Sequence, residues 1–202
     1  MNLEPEIRRL IDIMPASGRM LTKIISKPQQ TTVIESPFPL PWFGDREIYI
    51  NFDLWRRLSR PQRDMLLLRT VCWLINVRWF KPDLYQSVAL AGFLGGMIEF
   101  VQGDAVGVVV ATGLSGIALS QVWRNNRNSQ SQLDADTAAI KVAQRRGYSD
   151  VEAAQHLLGA IESVSQIEGR LSLSFTELIR SQNLRVIAGI SPIGVPDSLK
   201  QE

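Results

Sequence analysis

Two apolar stretches in the middle of the chain constrain its fold more than any other feature. Residues 85–101 contain one charged residue, Glu99, and residues 105–122 contain none. As helices rising 1.5 Å per residue, each would be roughly 25–28 Å long, slightly shorter than the hydrocarbon core of a bilayer. The sequence predicts a transmembrane helical hairpin over residues 85–123, and the alternative is a pair of buried helices in a soluble domain.

Basic residues flank this pair of stretches only on its outer sides. The turn between the stretches has none, and the flanking cations are Arg78, Lys81, Arg124 and Arg127. Because Lys and Arg are enriched on the cytoplasmic side of membrane proteins, the pattern predicts an integral membrane protein with both termini cytoplasmic. Membrane lipid is therefore an expected partner.

The composition of the chain excludes several classes of function. Hydrophobic residues make up 45% of the chain, as in globular domains, and the net charge of +2 is too small to indicate a nucleic-acid partner. Cys72 is the only cysteine and His156 the only histidine, whereas zinc hydrolases need two or three imidazoles and serine triads need a histidine base. We expect no metal and no cofactor, a buried Cys72 and a His156 at the surface or boundary.

Outside the apolar stretches, the patterns predict a mainly α-helical fold with a small β-hairpin or sheet. An amphipathic helix occupies the N-terminal region, residues 1–30, and its pattern is interrupted by Pro15 and resumes over residues 19–25. Two capping boxes begin later helices, and residues 187–202 form a loose tail. The predicted strands are 31–35 and 47–52, and the predicted helices are 4–14, 53–76 with a break near Pro61, 133–146, 149–166 and 174–184.

The proline-rich loop between the two predicted strands is a candidate partner surface. It carries the aromatic residues Phe38, Trp42 and Phe43, and the alternative is that these fold back as a plug. The strand that follows carries Ile48 and Ile50 on one face, and both belong to the candidate surface.

The order of the predicted elements resembles that of a known enzyme family. The strand "EIYINF", the helix "RPQRDMLLLRTVCWL", the apolar pair, a polar linker and "DADTAA…RRGYSDVEAA" resemble the HtpX-type membrane zinc metallopeptidases over residues 45–165. The resemblance implies a metallopeptidase-like (zincin-like) domain in two halves, residues 31–84 and 124–186, with the membrane hairpin inserted. Because that family binds extended peptides beside an edge strand, the resemblance also implies that the strand over residues 47–52 is a sheet edge that binds a peptide by main-chain hydrogen bonds. The chain is also similar to membrane proteins of cyanobacteria, which implies a thylakoid or plasma-membrane setting.

The same resemblance implies that the zinc site has been lost. In that family one helix carries HExxH, with two histidine ligands and a glutamate base, and a later helix carries ExxxD. Arginine has no free lone pair, an indole only donates, and a threonine hydroxyl is far too weak a base. No catalytic or metal-binding residue is expected, and the vestigial positions are Arg69, Thr70, Trp73, Gln132 and Asp136.

Arg69 needs a partner if it is buried, because an unpaired buried charge costs several kcal/mol. In the relatives the aspartate of ExxxD orients the first histidine ligand, as carboxylates around metal sites do. We therefore predict an ion pair between Arg69 and Asp136, with Asp134 as a second partner and Trp73 filling the vacated volume. The alternative is that Arg69 lies on a solvated helix face.

The predicted function is that of a non-catalytic, membrane-anchored pseudopeptidase. It would act as a scaffold, assembly factor or accessory subunit of a membrane protein complex, which the second resemblance implies is photosynthetic. Its partner would be another membrane protein, without nucleic acid or metal. The alternative is a soluble or peripheral α-rich binding domain, and a residual hydrolase is a third hypothesis.

Overall fold

The computed structural model describes residues 3–39, 44–77 and 129–191 of the chain. These residues form a mainly helical fold with one three-stranded sheet, which confirms the predicted class of secondary structure. In chain order the elements are α1 (Leu3–Ile13), α2 (Ala16–Leu21), β1 (Thr22–Ser26), β2 (Ile34–Glu35), β3 (Arg46–Ile50), α3 (Phe52–Trp55), α4 (Arg60–Asn76), α5 (Ser129–Gln144), α6 (Asp150–Ile167) and α7 (Phe175–Ile187).

The described helices contradict the prediction of an integral membrane protein with an inserted helical hairpin. Within the three described ranges, none of the helices combines the length and the apolar character needed to cross a membrane. The longest, α6, carries three acidic residues, Asp150, Glu152 and Glu162, within its 18 residues. The predicted hairpin, residues 85–123, lies outside the described residues, as does the end of the predicted tail, residues 192–202.

The sheet has the strand order β1-β3-β2, with β3 in the centre. Strand β1 pairs with β3 in parallel, and β2 pairs with β3 in antiparallel orientation. The expectation of an edge strand over residues 47–52 is therefore wrong, because both sides of β3 already have a partner. The expectation that residues 19–25 resume a helix holds for residues 19–21, which lie in α2, and is wrong from Thr22 onwards, where β1 begins and contains the β-branched pair Ile24 and Ile25.

The helices begin where their capping residues predict. At α6 the Ser149 hydroxyl accepts a hydrogen bond from the Glu152 N–H, and at α7 Ser174 does the same for Glu177. Helix α4 begins after Ser59 with a capping box and a proline in its first turn. These caps satisfy N–H groups that have no partner within the helix, so they fix the start of each helix.

Helix α4 forms the centre of the core and packs against both α5 and α6. Small residues on α5 and α6, such as Ala139, Ala143 and Ala153, are fully buried and allow the helices to approach closely. From the N-terminal helix, Leu10 is buried, and Met14 just after it is buried too. The amphipathic N-terminal helix thus packs on the domain. Elsewhere in the core, α4, α5 and α7 meet near their middles at one buried polar centre.

Candidate functional site

The carboxylate of Asp136 on α5 is the centre of the most deeply buried polar cluster that the structure describes. It has no exposed surface, although it lies in a core of apolar side chains. Arg180 of α7 donates two hydrogen bonds to it, from Nε to Oδ2 and from Nη2 to Oδ1, both 2.8 Å long. Arg69 of α4 places its Nε 3.5 Å from Oδ1. One carboxylate therefore joins three helices through two guanidinium groups.

The two arginines contact Asp136 in different ways. Arg180 binds both carboxylate oxygens, which is the strongest geometry for such a pair. The Nε of Arg69 is buried and, among the described residues, lies near Asp136 at 3.5 Å without the geometry of a full hydrogen bond, so this contact is weaker than those of Arg180. Burial lowers the pKa of Arg69 to about 9, and repulsion from Arg180 acts in the same direction. Arg69 is still protonated at neutral pH, and the cluster holds two cations against one anion.

A second ion network next to this cluster supplies the missing negative charge. Arg170 pairs with Glu168 at 3.0 Å and with Glu177 at 2.7 Å. The charge of Glu177 also acts favourably on Arg69. Glu168 in turn accepts a hydrogen bond from the backbone N–H of Val33 at 2.8 Å, which ties the segment before β2 to the end of α6. The two networks together balance three arginines with three carboxylates.

Acidification is expected to destabilise the fold through Glu177. Burial alone would raise its pKa, but hydrogen bonds from Arg170 and Ser174 outweigh burial and lower the pKa of Glu177 to about 2, from an ordinary 4.5. A carboxyl group whose pKa is depressed by folding stabilises the fold fully above the ordinary value and loses that contribution as the pH falls towards the depressed one. Urea unfolding at about pH 5 and about pH 3 should show this loss.

The control for this prediction is Glu177→Gln, which retains the shape but does not titrate. It should be less stable than the parent by about 1–3 kcal/mol at neutral pH, because Arg170 loses a charged acceptor. Between about pH 5 and about pH 3 its stability should fall less steeply than that of the parent. Parallel acid dependences of the two proteins would contradict the assignment to Glu177.

Thr70 and Trp73, two of the positions that the family resemblance singled out, are buried in the core. The Thr70 hydroxyl donates a hydrogen bond of 2.9 Å to the carbonyl of Leu66, one turn earlier in α4. Trp73 is buried, and its ring meets that of Phe38 edge-on, with 6.2 Å between ring centroids. Within the described residues, the indole N–H of Trp73 meets no hydrogen-bond acceptor. Trp73 therefore fills space between α4 and the loop before β3.

Of the two aspartates predicted to pair with Arg69, only Asp136 contacts it. Gln132 is partly buried. Asp134 is exposed and accepts a hydrogen bond from Gln130 at 2.9 Å, so the expectation that it also pairs with Arg69 is wrong. In the described parts of the chain, no group of three or more His, Cys, Asp or Glu residues is arranged to hold a metal ion. Burial raises the pKa of the Cys72 thiol to about 11, as for a small core side chain.

The predicted partner surface in and after the proline-rich loop is not an exposed surface where the structure describes it. Ile48 and Ile50 are fully buried, because the face of β3 that carries them covers the core. Phe38 is partly buried against Trp73. Trp42 and Phe43 lie outside the described residues. The prediction is therefore wrong for Ile48 and Ile50.

The sequence interpretation missed Arg180. It lies four residues before the buried Leu184, so the helical period places it on the face of α7 that packs on the core. An arginine on the buried face of an amphipathic helix is the sequence pattern that indicates a buried ion pair here.

A second buried carboxylate, Asp64, was also missed as a structural centre. Arg9 of α1 pairs with one of its oxygens, and the Tyr148 hydroxyl donates to the other at 3.0 Å. Burial and the charge of Asp64 raise the pKa of Tyr148. Glu6 of α1 adds pairs with Arg9 at 2.8 Å and with Arg63 at 2.7 Å. This network attaches the N-terminal helix to α4, and it leaves neither Asp64 oxygen free.

Comparisons with known proteins give one family and one relative. The family model described as "Protein of unknown function (DUF3318)" matches residues 8–148. A thylakoid membrane protein of Synechocystis sp. is 28% identical over 166 residues, which cover 79% of this chain and 76% of that protein. No solved structure matches the chain. The matched region of the family model includes Arg69 and Asp136 but ends before Arg180.

Proposed function

We propose that this chain, which belongs to the DUF3318 family of proteins of unknown function, is a non-catalytic α-helical binding domain at the surface of a photosynthetic membrane. The observation that carries the proposal is the state of Asp136, which is fully buried and bound by two arginines. The similarity to a thylakoid membrane protein supports the membrane setting.

The two buried carboxylates support binding over catalysis because both hold helices together. A general base must lie within hydrogen-bond reach of a substrate proton. Asp136 has no exposed surface and is bound by Arg180, and Asp64 is buried and bound by Arg9 and Tyr148. The raised pKa of Cys72 keeps its thiol protonated at neutral pH, whereas a nucleophilic cysteine must be a thiolate.

The descent from HtpX-type peptidases is part of this proposal. In it, the guanidinium groups of Arg69 and Arg180 supply the positive charge that a metal ion supplied in the relatives. The position of Arg69 Nε, 3.5 Å from Asp136, supports this substitution. A domain that keeps the framework without the metal would serve as a scaffold, assembly factor or accessory subunit of a membrane complex.

Fractionation of native membranes tests the proposal. We expect the protein to sediment with thylakoid membranes in buffer of low ionic strength and to be released by an alkaline carbonate wash. A peripheral protein is held by surface charge and shallow apolar contacts, which such a wash disrupts, whereas membrane-spanning helices resist it. Immunoblots of pellet and supernatant measure the distribution.

The matched controls are an integral thylakoid protein, which must stay in the pellet, and a soluble protein, which must appear in the first supernatant. Retention of the chain in the carbonate-washed pellet would overturn the peripheral assignment. Its recovery in the first supernatant would overturn the membrane setting altogether.

A further inference from the structure

The segment that leads from α2 into β1 carries positive charges without negative ones. Between residues 13 and 34 the charged residues are Arg19, Lys23 and Lys27, and all three are exposed. Among the residues that the structure describes, Arg19 and Lys23 form no ion pair. These cations are therefore available to an anionic partner.

Two apolar side chains lie between these cations and face solvent. Met20 is 82% exposed and Leu21 is 37% exposed. Helix α2 is held against α4 by Gly18, where an added Cβ would lie only 2.5 Å from the Cγ1 of Val71. This close approach fixes one side of α2 on the domain, so that Met20 is presented outwards by a firmly seated backbone.

The sheet contributes two carboxylates near this surface, against its three cations. Glu47 is the register partner of Lys23, and its carboxylate accepts a hydrogen bond from the Tyr49 hydroxyl. Glu35 lies on β2, on the other side of β3 from β1, and is the register partner of Tyr49. Lys27 sits over the Tyr49 ring, with its Nζ 4.7 Å from the centroid. Lysines are common on edge strands, where they prevent strand pairing, but that role does not account for an exposed methionine beside them.

We propose that this surface, formed by Arg19, Met20, Leu21, Lys23 and Lys27 and here called the basic edge, docks on an anionic lipid surface. The inference rests on the proposed function and names the contact that it requires. Cations near anionic headgroups and a protruding apolar side chain in the acyl boundary are the two components of interfacial binding. The basic edge supplies both on one short segment.

Charge complementarity selects the basic edge over the other exposed apolar cluster. That cluster, at the start of α7, contains Leu171, Phe175 and Leu178. Its neighbouring cation, Arg170, is already neutralised by Glu168 and Glu177. It therefore offers apolar contact without a cation for lipid headgroups, and it provides a matched control.

Cosedimentation of the full chain with protein-free vesicles tests the proposal. We expect binding to vesicles of equal parts phosphatidylcholine and phosphatidylglycerol to exceed binding to phosphatidylcholine alone, and to weaken as salt is added. Met20→Asp should lower partitioning into the anionic vesicles by about ten-fold. The double variant Arg19→Glu, Lys23→Glu should lower it by at least about twenty-fold. Leu171→Asp, the control at the other cluster, should bind as the parent does.

The outcomes separate this inference from the proposed function. If both variants of the basic edge bind anionic vesicles as the parent does, the basic edge is not the docking surface, even where carbonate still releases the protein from native membranes. A different result is that the variants no longer sediment with native membranes while the parent does not bind protein-free vesicles. In that case the partner is an acidic protein, and the lipid assignment is overturned. Absence of the parent from native membranes contradicts the proposed function itself.

Discussion

Asp136→Asn is expected to lower the free energy of unfolding by about 3–5 kcal/mol. The substitution preserves the shape of the side chain but removes the carboxylate that, in the described part of the chain, contacts both Arg69 and Arg180. The asparagine amide also turns an N–H donor towards one guanidinium, which has only donors itself. Because domains of this size are stable by about 5–15 kcal/mol in total, the variant should lose a large fraction of its stability.

Urea unfolding followed by circular dichroism measures this change, and the chain offers a close control. Asp134 lies two residues earlier on the same helix, is exposed, and accepts a hydrogen bond from Gln130. Asp134→Asn should change the stability by less than about 0.5 kcal/mol. A loss below about 1 kcal/mol in Asp136→Asn would contradict the view that this carboxylate holds the three helices together.

Local signals in the sequence predicted the elements well. Capping boxes fixed the beginnings of α6 and α7, because Ser149 and Ser174 satisfy N–H groups of the chain that immediately follows them. The alternation in β3 placed Ile48 and Ile50 on the same face for the same reason, since side chains two residues apart lie on one side of a strand. Such interactions span a few residues, and the sequence contains both partners side by side.

Features set by distant residues were predicted less well. Strand β1 forms because Ile24 and Ile25 pair with β3, more than twenty residues later. The local pattern instead predicts that the helix of α2 continues through them. The edge role assigned to β3 failed for the same reason, since β1 occupies its free side. Only the tertiary pairing of two strands distinguishes a central strand from an edge strand.

In the buried polar centre, the sequence predicted one residue, Asp136, and missed another, Arg180. The family resemblance predicted that Asp136 pairs with Arg69, and the structure places the Arg69 Nε 3.5 Å from the Asp136 carboxylate. Arg180 was missed because it lies 44 residues beyond Asp136, and no local pattern connects them. It is nevertheless Arg180 that makes both hydrogen bonds. A buried carboxylate requires donors, and the sequence does not specify which of several arginines supplies them.

Arg180→Met is expected to destabilise the fold by about 3–5 kcal/mol, whereas Arg69→Met should change it by less than about 1 kcal/mol. Without Arg180, the fully buried Asp136 loses both hydrogen bonds and retains only a contact of 3.5 Å with Arg69. Without Arg69, the bidentate pair remains, and the cost of burying a second cation beside it disappears. Methionine fills a similar volume in both variants, so that packing is nearly matched.

A double-mutant cycle with Asp136→Asn distinguishes the two arginines. The interaction energy should be at least about 2 kcal/mol for Asp136 with Arg180, and well below that for Asp136 with Arg69, because only the first pair shares hydrogen bonds. Equal interaction energies would mean that Arg69 anchors the carboxylate as strongly as Arg180 does. A stabilising Arg69→Met substitution would mean that the second guanidinium is kept at a cost to the fold, as expected for a charge inherited by a site that once held a cation.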